Sequence, residues 1–500
     1  HDTCRHRPSK MAVRTAAGVS PCFQATMGLK QGCPLSPTLF GLFIDDFEAE
    51  VLAAAQRGEQ LDLPLLGGVA APPLLYADDM ALLATSAAGL QAQLDMLQSY
   101  CERWSLTVNT VKTKLMLLSG QRTEPAAMRA AQQAGVTFGG VPLEVVTSFK
   151  YLGIVFSSTH CLAGSAAPAR AKLAHLAMHN CRARCAELGV AAAPVRLQLF
   201  STMVDSVLSY GAEVWAPQLA ARAASRPDGN SGSAAERLHL SFLRRELGVR
   251  QATPNVVVLT ELGERPLWLQ WLRRAARLWN KLLAQPADSL TRRALDASIA
   301  LAQSAPGGQL ARQSWAGQLA AALGAIGMPL DLQQPATIGR KKLESAGLEH
   351  HLAQLEKAAT REGASRLQYY VQRVHGGDVG GPEEYGRAPY LDVVRERARR
   401  EALAQLRTGS HWGAEETGRW ERIPREQRIC PHCVDGVEDV AHMLFDCPLY
   451  APLRAQYSEL FSQDHTIQSF LGQPAGPVAH FAAACRRTWV AASEASPHPH

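Results

Sequence analysis

The chain has 500 residues, 47% apolar and 19% charged, with 51 Lys and Arg against 45 Asp and Glu for a net charge of +6. At about 150 residues per domain this is roughly three domains, with material for a sizeable core and too little charge for global disorder. No uncharged apolar run reaches the roughly 20 residues that span a bilayer, and no signal peptide is readable after His1, so a membrane protein is not expected.

Ala is abundant and aromatic residues are few, which favours helix over most of the chain. Ser36-Pro37 predicts a helix start, with Pro in the first turn. Phe40, Phe43, Ile44, Phe47 and Val51 then recur at helical steps, which predicts one buried face. After the Gly/Pro break from Gly67 to Pro73, Leu74 to Thr85 reads as two short apolar strands folded about Asp78-Asp79. Ser86 predicts the cap of a helix whose stripe is Leu90, Leu94, Leu97, Cys101 and Trp104. Asn109 breaks that pattern, Lys114 to Leu118 reads as a strand, and Phe149 to Phe156 as a strand bent at Gly153. Beyond residue 160 the pattern is helical over 165–217, 233–287, 290–325, 340–375 and 389–407. The expected class is α+β.

Eleven cysteines are too few and too scattered for a disulfide scaffold. Cys181 and Cys185, four apart in a helical stretch, read as buried and inert. Cys430, Cys433 and Cys447 bracket His442 in a Cys-x2-Cys-x8-His-x4-Cys spacing. Four sulfur and nitrogen donors without an open position suit structural, tetrahedral Zn²⁺. His432, between the first two thiols, is a spare donor expected to be exposed. The expectation is a reduced, intracellular protein with one metal site.

Tyr76-Ala77-Asp78-Asp79 lies between apolar strands. Along one extended strand two adjacent carboxylates face opposite ways, but at a tight turn they can converge. A strand pair carrying two carboxylates on its tip is a device for holding Mg²⁺ ions through hard oxygen ligands. An ordinary Asp-rich turn has the same composition.

The surroundings of the turn discriminate. The blocks Gly28-Leu29-Lys30-Gln31-Gly32-Cys33-Pro34-Leu35-Ser36-Pro37-Thr38-Leu39-Phe40, LLYADDMALLATS, the helix ending in Trp104, VNTVKTK and FKYLGIVF follow one another in order. Together they resemble the reverse transcriptase domain of non-LTR (LINE-type) retrotransposons. The resemblance implies an RNA-directed DNA polymerase acting on an RNA template, a DNA primer and dNTPs, in a nuclear setting. It implies that Asp78 and Asp79 hold catalytic Mg²⁺ in the palm and that Tyr76 packs near the primer end. Gln31 and Gly32 would touch template and incoming nucleotide, and Phe149 to Phe156 would form the primer grip. Asn109 precedes Lys112 and Lys114, in the loop that carries a basic residue near the triphosphate; two solvated lysines beginning a strand fit those positions as well.

The family places a further catalytic Asp on an earlier palm strand. Asp2 is the one acid before Gln31 and has no strand character, so an incomplete polymerase without fingers or first palm strand is expected. Tyr210-Gly211-Ala212-Glu213-Val214-Trp215, His239 to Leu247, and Thr260-Glu261-Leu262-Gly263 with Pro266-Leu267 resemble the region after the thumb and read as packing. Arg407, Arg419, Arg422, Arg425 and Arg428, interleaved with Trp412 and Trp420, read as a basic nucleic-acid approach to the zinc motif, or as a solvated face. Arg395, Arg397, Arg399 and Arg400 alternate with Glu and read as helix surface.

The expected organisation is a partial palm over 1–160, helical thumb and connection over 161–290, a helical region without motifs over 291–399, the basic approach with zinc module over 400–456, and a helical tail over 457–500. A non-catalytic nucleic-acid-binding remnant with structural zinc is the second reading.

Overall fold

The computed structural model describes residues 9–16, 18–25, 34–118, 125–304, 308, 312–361, 363, 365–462 and 465–495. Gln31 and Gly32 lie outside these. The chain divides into two units, residues 1–117 with 123–146 and residues 118–122 with 147–500.

In the first unit, Pro37 sits in the first turn of a helix Ser36–Ile44, as its fixed φ favours. The expected single stripe is split at Asp45, where a second helix, Asp46–Gln56, begins. Ile44, Phe47 and Val51 are buried, while Leu42 and Phe43 are exposed. The Ser86 hydroxyl caps the helix Ala87–Trp104 by accepting the Gly89 N–H at 3.0 Å. Leu94, Leu97, Tyr100 and Cys101 from this helix meet Phe47, Val51, Val136, Phe138 and Leu143 in a small core. Trp104, expected to complete the stripe, is exposed and lies edge-on to Phe43 with centroids 5.3 Å apart.

Among the described residues every sheet has two strands. The strand expected over 114–118 is only Lys114–Leu115, and it runs parallel to Glu144–Val145. The segment 149–156 is not one bent strand. It is a hairpin, Ser148–Tyr151 against Ile154–Ser157, closed by Leu152 at φ 46° and Gly153 at φ 81°. Two successive left-handed residues reverse the chain in the hand that matches strand twist.

That hairpin belongs to the second unit, which is helical. Tyr210 donates its hydroxyl to the Leu152 carbonyl at 3.1 Å, and the Arg170 guanidinium lies 4.3 Å over the Tyr210 ring while donating to the Gly153 carbonyl. Gly211 takes φ 69°, and a Cβ there would run into Ile154. The Tyr210–Trp215 segment therefore locks the hairpin to the helices Leu162–Glu187 and Leu267–Leu283. Cys181 and Cys185 are buried in the former, as expected.

A large core joins Leu162–Glu187, Ala234–Leu247, Arg397–Arg407 and Ala475–Ala495. A second gathers Trp268, Leu272 and Trp279 with Leu295, Leu319, Leu323 and Leu343. No described helix is long and apolar enough to cross a membrane. Arg400, expected on a helix surface, is buried, and its guanidinium donates to the carbonyls of Val394, Arg395 and Ala191. A buried cation needs such acceptors, and helix periodicity alone does not reveal them.

Candidate functional site

The carboxylate turn starts from an alternation too short to bury two faces. Leu74–Tyr76 pairs with Asp79–Ala81 in the register Leu74↔Ala81, Leu75↔Met80 and Tyr76↔Asp79. The two turn residues are thus Ala77 and Asp78, one position earlier than expected, and Asp79 already belongs to the strand. Ala77 takes φ 51°, a left-handed conformation that disfavours a Cβ but permits a two-residue reversal. Met80 and Leu82 pack on the core of the first unit, so the hairpin is anchored behind its tip. Asp78, Asp79 and Tyr76 are exposed, Tyr76 at 64%.

Mg²⁺ suits this donor set, because it keeps several waters and is commonly bound through one or two carboxylates plus substrate phosphates. Among the described residues, no third His, Cys, Asp or Glu donor joins the pair in a cluster able to hold a metal.

The Asn109 loop is built by its own side chain. Asn109 accepts the Lys112 N–H at 3.1 Å through Oδ1, and its backbone carbonyl accepts the Thr113 N–H at 3.0 Å. Lys112 is exposed and its side chain has no partner among the described residues, whereas Lys114 pairs with Glu144 at 2.5 Å. The strand pairing of 114–115 with 144–145 brings that acid opposite, so the two lysines are not equivalent. No hydrogen bond or ion pair links Asp78 or Asp79 to Asn109, Lys112 or Lys114 among the described residues.

The Cys/His motif converges. The donor atoms of Cys430, Cys433, His442 and Cys447 all lie within 4.8 Å of one another. Cys430 and Cys447 sulfurs are 3.8 Å apart, and Cys433 Sγ is 3.3 Å from His442 Nε2. Tetrahedral zinc with Zn–S near 2.3 Å and Zn–N near 2.0 Å needs edges of about 3.5–3.8 Å, so these donors fit the ion. The local fold supplies the geometry: the Cys430 N–H donates to Gly436 O at 3.0 Å, closing the first loop, and the Cys447 N–H donates to His442 O at 2.8 Å across a π-helical turn. Burial pushes the Cys430 thiol up to about 12 and also raises Cys447, which a bound cation would reverse by stabilising thiolates. His432 is half-buried rather than exposed, with its ring edge-on to Trp489 at 6.2 Å. Cys430 and Cys447 share the large core of the second unit with Val440, Leu444, Tyr450 and Phe481.

The basic approach is largely consumed internally. Arg407 pairs with buried Glu261 at 2.5 Å, Arg419 with Glu416 at 3.1 Å, and Arg425 with both Glu415 and Asp439. Arg428 donates to the carbonyls of Ile423 and Glu415, and Trp412 is buried. Arg422 and Trp420 remain exposed, with the Arg250 guanidinium 4.0 Å over the Trp420 ring. Sequence spacing missed the Arg407 pair because Glu261 comes from a position far along the chain, whereas the acids that answer Arg419 and Arg425 lie within 14 residues of them.

A family model described as reverse transcriptase (RNA-dependent DNA polymerase) matches residues 13–156. The chain is similar to the retrovirus-related Pol polyprotein from type-2 retrotransposable element R2DM of Drosophila melanogaster, 30% identical over 138 residues, 27% of this chain and 12% of that protein. It is also similar to the Pol polyprotein from type-1 retrotransposable element R2 of Nasonia vitripennis, 27% identical over 156 residues, 31% of this chain and 14% of that protein. The RNA-directed DNA polymerase from mobile element jockey of Drosophila melanogaster is 28% identical over 133 residues, 25% of this chain and 13% of that protein. The matched segment thus spans between 12% and 14% of these relatives.

Proposed function

Residues 13–156 form a segment of the reverse transcriptase family, homologous to the R2 and jockey polymerases, and from that premise we propose that the chain is part of the RNA-directed DNA polymerase of a non-LTR retrotransposon. The observation that carries this reading is the two-residue turn that sets Asp78 and Asp79 at the tip of an anchored hairpin. In the proposed site Asp78 and Asp79 hold Mg²⁺. Bound Mg²⁺ would supply activation of the primer 3′-hydroxyl and charge neutralisation of the pyrophosphate released from the dNTP. Tyr76, the cross-strand partner of Asp79, packs beside the primer end, and Gln31 and Gly32 meet template and incoming nucleotide. Lys112 attracts the triphosphate, with Asn109 holding its loop. Lys114 is held by Glu144 and is the weaker candidate. Cys430, Cys433, His442 and Cys447 hold a structural Zn²⁺, and the protein works in the nucleus on an RNA template and a DNA primer.

A non-catalytic nucleic-acid-binding role is the second reading, favoured by the pair standing without a third donor among the described residues. Primer extension on an RNA template separates the two. Under the polymerase reading, Asp78→Asn abolishes Mg²⁺-dependent extension and leaves template binding nearly intact, because the lost ligand acts in the transition state. Undiminished extension by Asp78→Asn overturns the assignment, and absence of extension from every longer version of the chain supports the second reading.

A further inference from the structure

The longest helix of the motif-free region, Arg340–Ala359, begins against the usual electrostatic rule. Gly339 gives it no side-chain cap, and Arg340, Lys341 and Lys342 fill its first turn. Cations there face the positive end of the helix dipole and its unpaired N–H groups.

The neighbouring helix Leu267–Leu283 adds to the same charge. Arg273 and Arg277 lie four apart on one of its faces, with Asn280 on the next turn. Asn280 clamps the chain just before the basic turn, donating Nδ2 to Ile338 O at 2.9 Å and accepting the Ile338 N–H at 2.8 Å. Gly347 packs so closely on Leu269 that a Cβ would collide, so the two helices are held in fixed register. Glu344 is the carboxylate that answers these charges. It pairs with Arg265 and sits 3.9 Å from Arg273. Burial lowers the proton affinity of Arg273, and Arg265, Arg340 and Arg277 depress it further against the pull of Glu344. Arg277, Arg340, Lys341 and Lys342 are exposed and make no ion pair or hydrogen bond through their side chains among the described residues.

We propose that this corner, formed by Arg273 and Arg277 with Arg340, Lys341 and Lys342, binds the phosphodiester backbone of a nucleic acid. Guanidinium groups and free helix N–H groups both match phosphate oxygens. The arginines of the 407–428 segment are mostly neutralised by internal acids, whereas here Glu344 approaches Arg273 and the other four cations have no acidic partner among the described residues. The site rests on the reading of the chain as one that works on nucleic acid, and it assigns a role to helices that carry no catalytic motif.

The test is binding of the full chain to a fluorescein-labelled RNA–DNA hybrid, followed by anisotropy across a KCl series. Replacing Arg277, Arg340 and Lys341 by Gln is expected to reduce the slope of log K against log salt by about 2 to 3 and to weaken low-salt binding roughly 10- to 100-fold, since each phosphate contact contributes about 0.9 to the slope. The variant should melt at or above the wild-type temperature, because like charges are removed from a helix start. A control triple, Lys357→Gln, Arg361→Gln and Arg373→Gln, removes the same charge from exposed positions elsewhere and should leave the slope near wild type. Equal slopes for the corner variant and wild type, or equal losses in both triples, overturn the proposal. Primer extension by a polymerase-competent version of the chain, scored beside binding, keeps the two readings apart: unchanged slopes with intact extension sink the corner alone, and binding without extension from that version sinks the polymerase reading alone.

Discussion

Glu438 accepts the indole N–H of Trp489 at 2.8 Å, which fastens the C-terminal helix Ala475–Ala495 to the residue four places before His442. Glu438 also accepts the Ala414 N–H, so one buried carboxylate ties three segments around the Cys/His cluster. Removal of metal should therefore disturb the helix as well as the loop. Purified chain is expected to carry one Zn²⁺, lost in Cys433→Ala. Structural zinc in small domains is worth on the order of 10 kcal/mol of apparent binding energy at neutral pH. Chelation should red-shift tryptophan emission and open 430–447 together with 475–495 to protease. A zinc-free wild type that takes up none on titration and stays protected would show a packed structural cluster instead.

Lys112 and Lys114 should separate functionally. Lys112→Ala is expected to raise the KM for dNTP several-fold, whereas Lys114→Ala should change extension little. Its partner Glu144 is exposed, so that change should cost no more than about 1 kcal/mol in stability. Steady-state kinetics with a polymerase-competent version of the chain decides this; the reverse order of effects would move the triphosphate contact to Lys114.

The Glu261–Arg407 pair should behave as a buried structural pair. Glu261 is fully buried, also accepts the Tyr370 hydroxyl at 2.8 Å, and is held ionised by Arg407 against the cost of burial. Arg407→Met leaves that carboxylate unpaired and is expected to destabilise by about 3–5 kcal/mol, with partial recovery in the Arg407→Met/Glu261→Gln double variant. Urea midpoints measure both. A cost below about 1 kcal/mol would mean that water already screens the pair.

Acid stability should depend on two buried histidines. Burial pushes His239 and His351 down to about 4, and the His350 beside His351 acts in the same sense. Each binds fewer protons folded than unfolded between about 4 and 6.5, so the stability they contribute rises with pH across that window and is lost as pH falls. At about 1.4 kcal/mol for each tenfold change in proton affinity, each accounts for up to roughly 3 kcal/mol. Glu236, raised by burial to about 7, works the other way between about 4.5 and 7. Folding free energies of His351→Phe between pH 4 and 7 should show a flatter acid limb than wild type, and an unchanged limb would remove His351 from the linkage.

The sequence alone determined the local elements whose physics is short-range. Ser86 as a cap, Pro37 in a first turn, the Leu94–Leu97–Cys101 stripe and the Cys-x2-Cys loop are each decided by residues within a few positions of one another. The carboxylate hairpin was legible too, but not its turn, because the choice between Ala77-Asp78 and Asp78-Asp79 depends on which register buries Met80 behind the tip. Tertiary structure decided the charges. Arginines at 407, 419 and 425 look free in sequence and are neutralised by Glu261, Glu416, Glu415 and Asp439, while those at 277 and 340 look incidental, both bear on Arg273 and have no acidic partner among the described residues. Arg407 and Glu261 meet through space across helices 146 positions apart in the chain, so linear spacing does not encode that pair. Even the acids close to Arg419 and Arg425 in sequence become partners only through the folded turns between them.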